Sequence, residues 1–217
     1  MISHEYRTPL TILSTSIEII ENYLKKNYQE SLLKLNKQFQ KCYFAIQKMV
    51  YLLEQVLNVS KEFSKDIKIN IQELNFSKFL EDIIENTILL YPDHHIILNK
   101  PDNEIYINSD EILLAQIIEN LLSNAVKYSS TDKDIIVNLI NSVDKIILEI
   151  QDFGIGLNEN ELKNIYTPFF RSENNIGIIE GLGLGMSIVK RNVDLLNIKI
   201  KIDSARNVGT KVTLYLT

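Results

Sequence analysis

Residues 120–128 read Asn-Leu-Leu-Ser-Asn-Ala-Val-Lys-Tyr, at the end of a segment whose regularly spaced apolar residues predict a helix. On that helix Asn120 and Asn124 lie four residues apart on one face, and Lys127 follows three residues later. Two amide oxygens and an ammonium group suit a magnesium-bound triphosphate, because Mg²⁺ prefers oxygen ligands and shares its coordination with phosphates. Taken alone, the stretch is also compatible with a polar helix face made of ordinary amides.

Glycine is confined to the last third of the chain, since all 7 glycines lie at or beyond Gly154. Residues 152–156 read Asp-Phe-Gly-Ile-Gly directly after a predicted strand. A carboxylate at a strand end, here Asp152, can accept a hydrogen bond from the exocyclic amine of adenine. Gly154 and Gly156 let the backbone pass close to such a base. A simple turn at the strand exit is the alternative interpretation.

A second glycine stretch, Gly-Leu-Gly-Leu-Gly at 181–185, opens a predicted helix. Such a helix start offers free backbone N–H groups and the positive end of the helix dipole to a phosphate. The glycine spacing and the irregular loop before it exclude the dinucleotide-binding fingerprint, which needs G-x-G-x-x-G after a strand. The sequence also lacks the G-x-x-x-x-G-K-[ST] pattern of P-loop enzymes.

The spacing of apolar residues predicts two long helices in the first 63 residues. Apolar residues recur at alternating spacings of four and three from Tyr6 to Leu24 and again from Leu32 to Phe63, interrupted only by Ser60, and the polar residues 25–30 form the turn. This heptad pattern buries a narrow seam against other helices. Pairing of two such hairpins into a four-helix homodimer would close the core, and packing of the hairpin against the rest of its own chain is the alternative.

The rest of the chain predicts mixed strands and helices. Helices are expected at 76–90, from a cap at Ser109 or Asp110 to about 128, and at 183–196, with an irregular stretch over 152–182. Strands are expected at 67–71, 95–99, 104–107, 134–140, 145–151, 198–203 and 210–216. This order favours an α/β sandwich, one sheet with helices over one face.

Composition excludes several classes of protein. The 217 residues carry a net charge of -5, so there is no broad basic surface for nucleic acid. No apolar run approaches the roughly 20 residues that cross a bilayer, and no secretory signal is visible. The single cysteine, Cys42, excludes a disulfide framework and a cysteine zinc site. We read His94 and His95 as surface residues, and we expect a cytoplasmic protein whose longer parent could be membrane-anchored through a region absent here.

The N-terminal residues 3–11 read Ser-His-Glu-Tyr-Arg-Thr-Pro-Leu-Thr. Extending the heptads back from Leu10 places His4 beside the seam and facing solvent. An exposed imidazole can act as a nucleophile, and the neighbouring Glu5 can take its ring proton. Thr8 lies one helical turn beyond His4 on the same face. An ordinary solvated surface histidine is the alternative interpretation.

The stretch 3–11 resembles the phospho-acceptor box of the sensor histidine kinases of two-component signalling. The resemblance implies that His4 is phosphorylated and that Glu5 is the acid/base partner. It also implies that Glu5 and Thr8 act in dephosphorylating the partner, with Thr8 orienting water. Tyr6 departs from the family's aliphatic residue, and we expect only a packing effect.

Other motifs resemble the nucleotide-binding boxes of the same kinases, in the family's order. The resemblance implies that Asn120 and Asn124 hold Mg²⁺ and phosphates, and that Lys127 contacts phosphate. It implies that Tyr128 lies against the nucleotide and that Asp152, with Gly154 and Gly156, recognises adenine.

The resemblance also implies that Arg171, in residues 167–171, approaches the γ-phosphate and that residues 172–180 form the ATP lid. The implied phosphate-binding glycines are Gly181, Gly183 and Gly185. Leu182 replaces the family's usual Thr or Ser, which could weaken nucleotide affinity. Val208-Gly209-Thr210 resembles the family's last glycine motif, read as structural.

The resemblance implies an α plus α/β protein. Residues 1–64 would form the helical hairpin for dimerisation and phospho-acceptance, a four-helix bundle in the dimer. Residues 65–217 would form the Bergerat-type ATP-binding sandwich shared with gyrase, Hsp90 and MutL proteins. The expected function is autophosphorylation of His4 by Mg²⁺-ATP, transfer to an aspartate on a response-regulator receiver domain, and phosphatase activity toward that regulator. The alternatives are an ATPase or serine kinase of the same superfamily and a degenerate docking module without catalysis.

Overall fold

The computed structural model describes residues 13, 15, 17–20, 69–142, 145–171 and 183–216. Backbone contacts divide the chain into two units, Met1–Ile67 and Lys68–Thr217. In the first unit, the described residues are α-helical. The predicted hairpin turn, most of the seam, His4, Glu5 and Thr8 lie outside the described residues, so the four-helix bundle and the domain boundary at 64/65 stay predictions.

Short polar side chains cap the start of three of the four helices described in the second unit. Helix α1 spans Phe76–Leu90 and α2 spans Glu111–Tyr128. Helix α3 spans Glu159–Asn164 and α4 spans Gly185–Leu195. The carboxylate of Asp110 accepts the Leu113 N–H at 3.0 Å, which identifies Asp110 rather than Ser109 as the α2 cap. The predicted helices at 76–90, 110–128 and 183–196 are confirmed to within two residues.

The described part of the second unit contains two sheets. A five-stranded sheet has the order β2-β4-β5-β7-β6, with β2 and β4 parallel and the other neighbours antiparallel. A two-stranded antiparallel sheet pairs β1 with β3. The strand bounds are Gln72–Asn75 (β1), Ile96–Asn99 (β2), Tyr106–Ser109 (β3), Ile135–Ser142 (β4), Lys145–Asp152 (β5), Lys199–Ala205 (β6) and Gly209–Leu216 (β7).

The core lies between one face of the larger sheet and the three longer helices. In register across the central strands, Leu139 pairs with Leu148 and Leu148 with Leu214, and all three are buried. The helices fill this face with fully buried side chains: Phe76 and Leu80 from α1, Leu114, Ile117, Ile118 and Leu122 from α2, and Val189 from α4. The predicted sandwich, with helices over one face of a sheet, is confirmed for this unit.

Two predicted strands are displaced along the chain. The strand expected at 67–71 lies at β1, and the strand expected at 104–107 lies at β3. Ile69 and Ile71 are 39% and 54% exposed. Their alternation with polar residues therefore does not mark one buried and one exposed face of a strand. None of the described helices is both long and apolar enough to span a membrane.

Candidate functional site

Asp152 ends strand β5 as a carboxylate that is only 7% exposed. Its Oδ1 atom accepts two backbone hydrogen bonds, from Gly154 N at 2.9 Å and from Thr210 N at 3.2 Å. No described residue donates a hydrogen bond to Oδ2. Burial raises the pKa of Asp152, and the two backbone donors oppose that rise. The carboxylate is therefore held by one oxygen and presents the other as an acceptor.

Gly154 is required by a close approach between the loop and the end of helix α2. A Cβ atom at this position would lie 1.9 Å from the carbonyl oxygen of Tyr128, which also accepts the Ile155 N–H at 3.1 Å. The sequence suggested that Gly154 lets the backbone approach a base. The described neighbour that excludes a side chain there is instead the protein's own backbone. This contact brings Tyr128 beside the loop that follows Asp152.

The β6–β7 turn holds the other side of the same loop. The Asn207 N–H donates to Ile155 O at 2.8 Å, and Leu157 N donates to Ser204 Oγ at 2.9 Å. A Cβ at Gly156, whose φ is +58°, would lie 1.9 Å from Ala205 O. These contacts fix the loop between two elements, and with it the position of Asp152.

An ion pair joins the β6–β7 turn to helix α3, which the sequence did not predict. Arg206 donates to Glu161 Oε2 at 3.1 Å, and that carboxylate also accepts the Asn158 N–H at 2.8 Å. Asn158 accepts the Glu161 N–H in return, which completes a capping box. The Asn-x-x-Glu spacing is the one sequence signal that could have identified this helix.

Helix α2 carries Asn120, Asn124 and Lys127 along one face, as expected from their spacing. The side chain of Asn120 is buried, and its Nδ2 donates to the Gln116 carbonyl at 2.6 Å. This bond turns Oδ1 away from that carbonyl. The side chain of Asn124 is half-buried and makes no hydrogen bond to another described residue. Amide oxygens in this arrangement fit a hard cation that shares its coordination with phosphates.

Tyr128, Arg171 and Gly183 come together from three separate segments. Burial raises the pKa of Tyr128, and the charge of Arg171 acts in the opposite direction. A Cβ at Gly183, whose φ is +71°, would lie 3.1 Å from Arg171 Cγ. Arg171 thus relates Gly183, 12 positions later, to Tyr128, 43 positions earlier.

Helix α4 begins at Gly185, which is the last residue of the second glycine stretch. The structure describes this stretch from Gly183 onward. Its N-cap residue, Leu184, gives no side-chain hydrogen bond to the first turn. The N-terminal N–H groups therefore lack a capping side chain, which suits an anion. Gly181, Leu182 and the predicted lid at 172–180 lie outside the described residues.

The two adjacent histidines differ in exposure. His95 is exposed, with Nδ1 3.9 Å from the Asp134 carboxylate, as expected for a surface residue. His94 is half-buried, with its ring edge-on against Tyr91 and a buried Nε2 that has no hydrogen-bond partner in the described structure. Across the described residues, no three His, Cys, Asp or Glu side chains form a group that could hold a metal ion.

A family comparison bears directly on this site. Residues 109–217, half of the chain, match the family described as histidine kinase-, DNA gyrase B-, and HSP90-like ATPase. The chain belongs to this ATPase family. The match begins just before helix α2 and includes Asp152 and helix α4.

Curated relatives resemble the chain over nearly all of its length. It is 27% identical to the sensor histidine kinase WalK of Bacillus subtilis (strain 168), and the alignment covers 99% of this chain and 35% of that protein. It is 27% identical to the sensor protein RprX of Bacteroides fragilis (strain YCH46), covering 99% of this chain and 42% of that protein. The chain thus spans well under half the length of these relatives.

Solved structures share the fold. The full-length structure of ShkA in complex with AMPPNP matches with a TM-score of 0.65 and 18% identity, over 99% of this chain and 44% of that one. The histidine kinase AdeS of Acinetobacter baumannii matches with a TM-score of 0.62 and 19% identity, over 99% of this chain and 97% of that one. At these identities the likeness concerns the fold alone.

Proposed function

We propose that this chain is the kinase core of a sensor histidine kinase, which binds ATP with Mg²⁺ and phosphorylates itself on His4. One observation carries the proposal: an acceptor oxygen of the buried Asp152 that no described residue contacts by a hydrogen bond, a tyrosine within range of the charge of Arg171 and an uncapped helix start occur together in a chain of this ATPase family. The likeness to WalK and RprX extends across 99% of the chain, which includes the segment around His4.

The nucleotide would lie between the loop after Asp152 and the start of helix α4. Asp152 Oδ2 would accept the adenine amine, and Tyr128 would lie against the nucleotide. Asn120 and Asn124 are the residues that would hold Mg²⁺, with Lys127 on the phosphates. When bound, Mg²⁺ neutralises phosphate charge and orients the triphosphate.

In the proposed transfer, one ring nitrogen of His4 attacks the γ-phosphorus. The bond to the β–γ bridging oxygen breaks, and ADP leaves with that electron pair. Glu5 takes the proton of the other ring nitrogen, which raises the nucleophilicity of the imidazole. Arg171 would stabilise the charge on the transferring group, and the protein's main contribution is positioning.

The phosphoryl group would then pass to an aspartate on the receiver domain of a response regulator. In the reverse regulatory role, Thr8 and Glu5 would orient water for dephosphorylation of that partner. We propose that the working unit is a homodimer formed through residues 1–64. These steps depend on the resemblance of residues 3–11 to the kinase phospho-acceptor box.

Labelled ATP tests the proposal. Incubation of the chain with γ-labelled ATP and Mg²⁺ should give an acid-labile phosphoprotein, and His4→Gln should abolish it. The matched control is His95→Gln, a change at an exposed histidine that should leave labelling unchanged. Label that survives His4→Gln would contradict the proposal. Steady release of phosphate without any phosphoprotein would favour a superfamily ATPase instead.

A further inference from the structure

Asn192 is a fully buried amide in the last turn of helix α4, where its neighbours Val189 and Val193 belong to the apolar core. Polar groups are retained in cores when their hydrogen bonds are satisfied, because burial without a partner is costly. The Oδ1 atom of Asn192 accepts from Arg191 Nε at 3.1 Å and from its Nη2 at 3.0 Å. This side chain therefore has specific partners and is more than a space-filling residue.

The donor side of Asn192 contacts a single turn of helix α2. Its Nδ2 donates to Gln116 Oε1 at 2.9 Å and makes a longer contact with Leu113 O at 3.4 Å. The main-chain carbonyl of the same Gln116 accepts the Asn120 side-chain amide at 2.6 Å. Gln116 thus links α4 to Asn120, through its side-chain oxygen on one side and its main-chain carbonyl on the other.

Two elements proposed to face the phosphates meet through this contact. Helix α4 presents the uncapped start at Gly185, and α2 presents Asn120. An apolar residue at 192 would also pack between the helices, but it would not fix the rotation of α2 about its axis. A directional hydrogen bond does, and a ligand amide must be held within about 0.5 Å of its working position.

We infer that Asn192 is a positioning residue, which holds the 113–116 turn of α2 against α4 so that Asn120 keeps the orientation needed to bind Mg²⁺ with nucleotide. The inference rests on the proposed function, since it takes Asn120 as a metal ligand. Asn192 itself touches neither the metal nor the nucleotide in this account.

The test is calorimetry on the full chain with the imido analogue of ATP, once with Mg²⁺ and once with EDTA. The magnesium ratio, which is the dissociation constant in EDTA divided by the dissociation constant with Mg²⁺, measures how much of the affinity depends on magnesium. Asn192→Leu should lower that ratio about 10-fold, the effect typical of removing an outer-sphere support of a metal ligand. Adenosine affinity should stay within about twofold of the unmodified chain, because Asn192 has no hydrogen bond to the Asp152 loop.

Two further variants separate positioning from packing. Asn192→Asp keeps the acceptor for Arg191 and can take a hydrogen bond from a rotated Gln116 amide, so the magnesium ratio should be retained. Gln116→Met removes the same interhelical bond at a half-buried position while leaving its carbonyl in place, and should lower the ratio as Asn192→Leu does.

An unchanged ratio in an Asn192→Leu protein that still binds adenosine would overturn the inference. Should Asn192→Leu lose adenosine binding through misfolding, Gln116→Met decides, and an unchanged ratio there has the same meaning. If the unmodified chain itself binds the analogue equally with and without Mg²⁺, the metal assignment of the proposed function fails, and the inference fails with it.

Discussion

Replacing Asp152 by asparagine should separate nucleotide recognition from folding. The two backbone hydrogen bonds to Oδ1, from Gly154 and Thr210, can both be kept by the asparagine oxygen. Only the second oxygen changes, from an acceptor into an N–H₂ donor. The buried negative charge is removed at the same time, and burial disfavours that charge in the folded chain.

The expected loss of affinity follows from that single change. A hydrogen bond to a charged acceptor contributes about 1.5–3 kcal/mol, and removing it weakens adenine nucleotide binding about 10- to 100-fold. Because the new amide would also oppose the adenine amine donor to donor, we expect a loss near the upper end. Thermal stability at neutral pH should equal or exceed that of the unmodified chain.

The assay pairs calorimetry with ADP and thermal unfolding followed by circular dichroism. Asp203→Asn is the matched control, because this exposed carboxylate on β6 only pairs with Lys201 at the surface. Asp152→Ala is the informative contrast, since it leaves the Gly154 and Thr210 N–H groups without their acceptor and should lower stability by about 1–3 kcal/mol. Binding by Asp152→Asn within twofold of the unmodified chain would refute the reasoning, and so would a marked loss of its stability.

Three other predictions concern the same region. Because folding raises the pKa of Asp152, the protonated carboxyl contributes stability that is fully present below its ordinary pKa of 3.8 and is lost as pH rises through the higher pKa of the folded chain. Unfolding free energies measured from pH 3 to 7 should show this decline. The Asp152→Asn protein should lack this contribution to the decline. Gly154→Ala would force a Cβ against the Tyr128 carbonyl and should cost about 1–3 kcal/mol of unfolding free energy, measured by urea denaturation; an unchanged midpoint would contradict the close approach. Arg206→Met should cost about 1 kcal/mol, because it leaves the Glu161 carboxylate without its ion pair, and equal stability would show that the pair contributes nothing.

Helix periodicity explains why the main architecture was predictable. Apolar residues at spacings of three and four bury one face of α1 and α2, and the confirmed bounds follow that pattern. The strands β4 and β5 alternate buried and less buried residues, which is also a local signal. Local repetition is sufficient wherever one face of an element is buried and the other is not.

Contacts between distant residues explain what the sequence could not predict. Arg206 and Glu161 are 45 positions apart, and Asn192 and Gln116 are 76 positions apart, so neither pair leaves a local pattern. The six residues of α3 are too few to show helical periodicity.

The candidate site divides in the same way. Asp152, Asn120, Asn124 and Arg171 could be proposed from the sequence because they lie in short motifs, but the Thr210 N–H that helps to hold Asp152 is 58 positions away. The reason for Gly154 was also hidden, since the atom that excludes a side chain belongs to a helix 26 positions earlier.

The measurement that tests the central claim most directly is the location of the transferred phosphate. After incubation with Mg²⁺-ATP, the chain would be digested at alkaline pH, where phosphohistidine survives, and the peptides sequenced by mass spectrometry. We predict one phosphate, on the imidazole of His4, and much less of it in the Asp152→Asn protein at an ATP concentration below saturation. A phosphate on any other residue, or an unmodified His4 in a chain that demonstrably binds ATP, would contradict it.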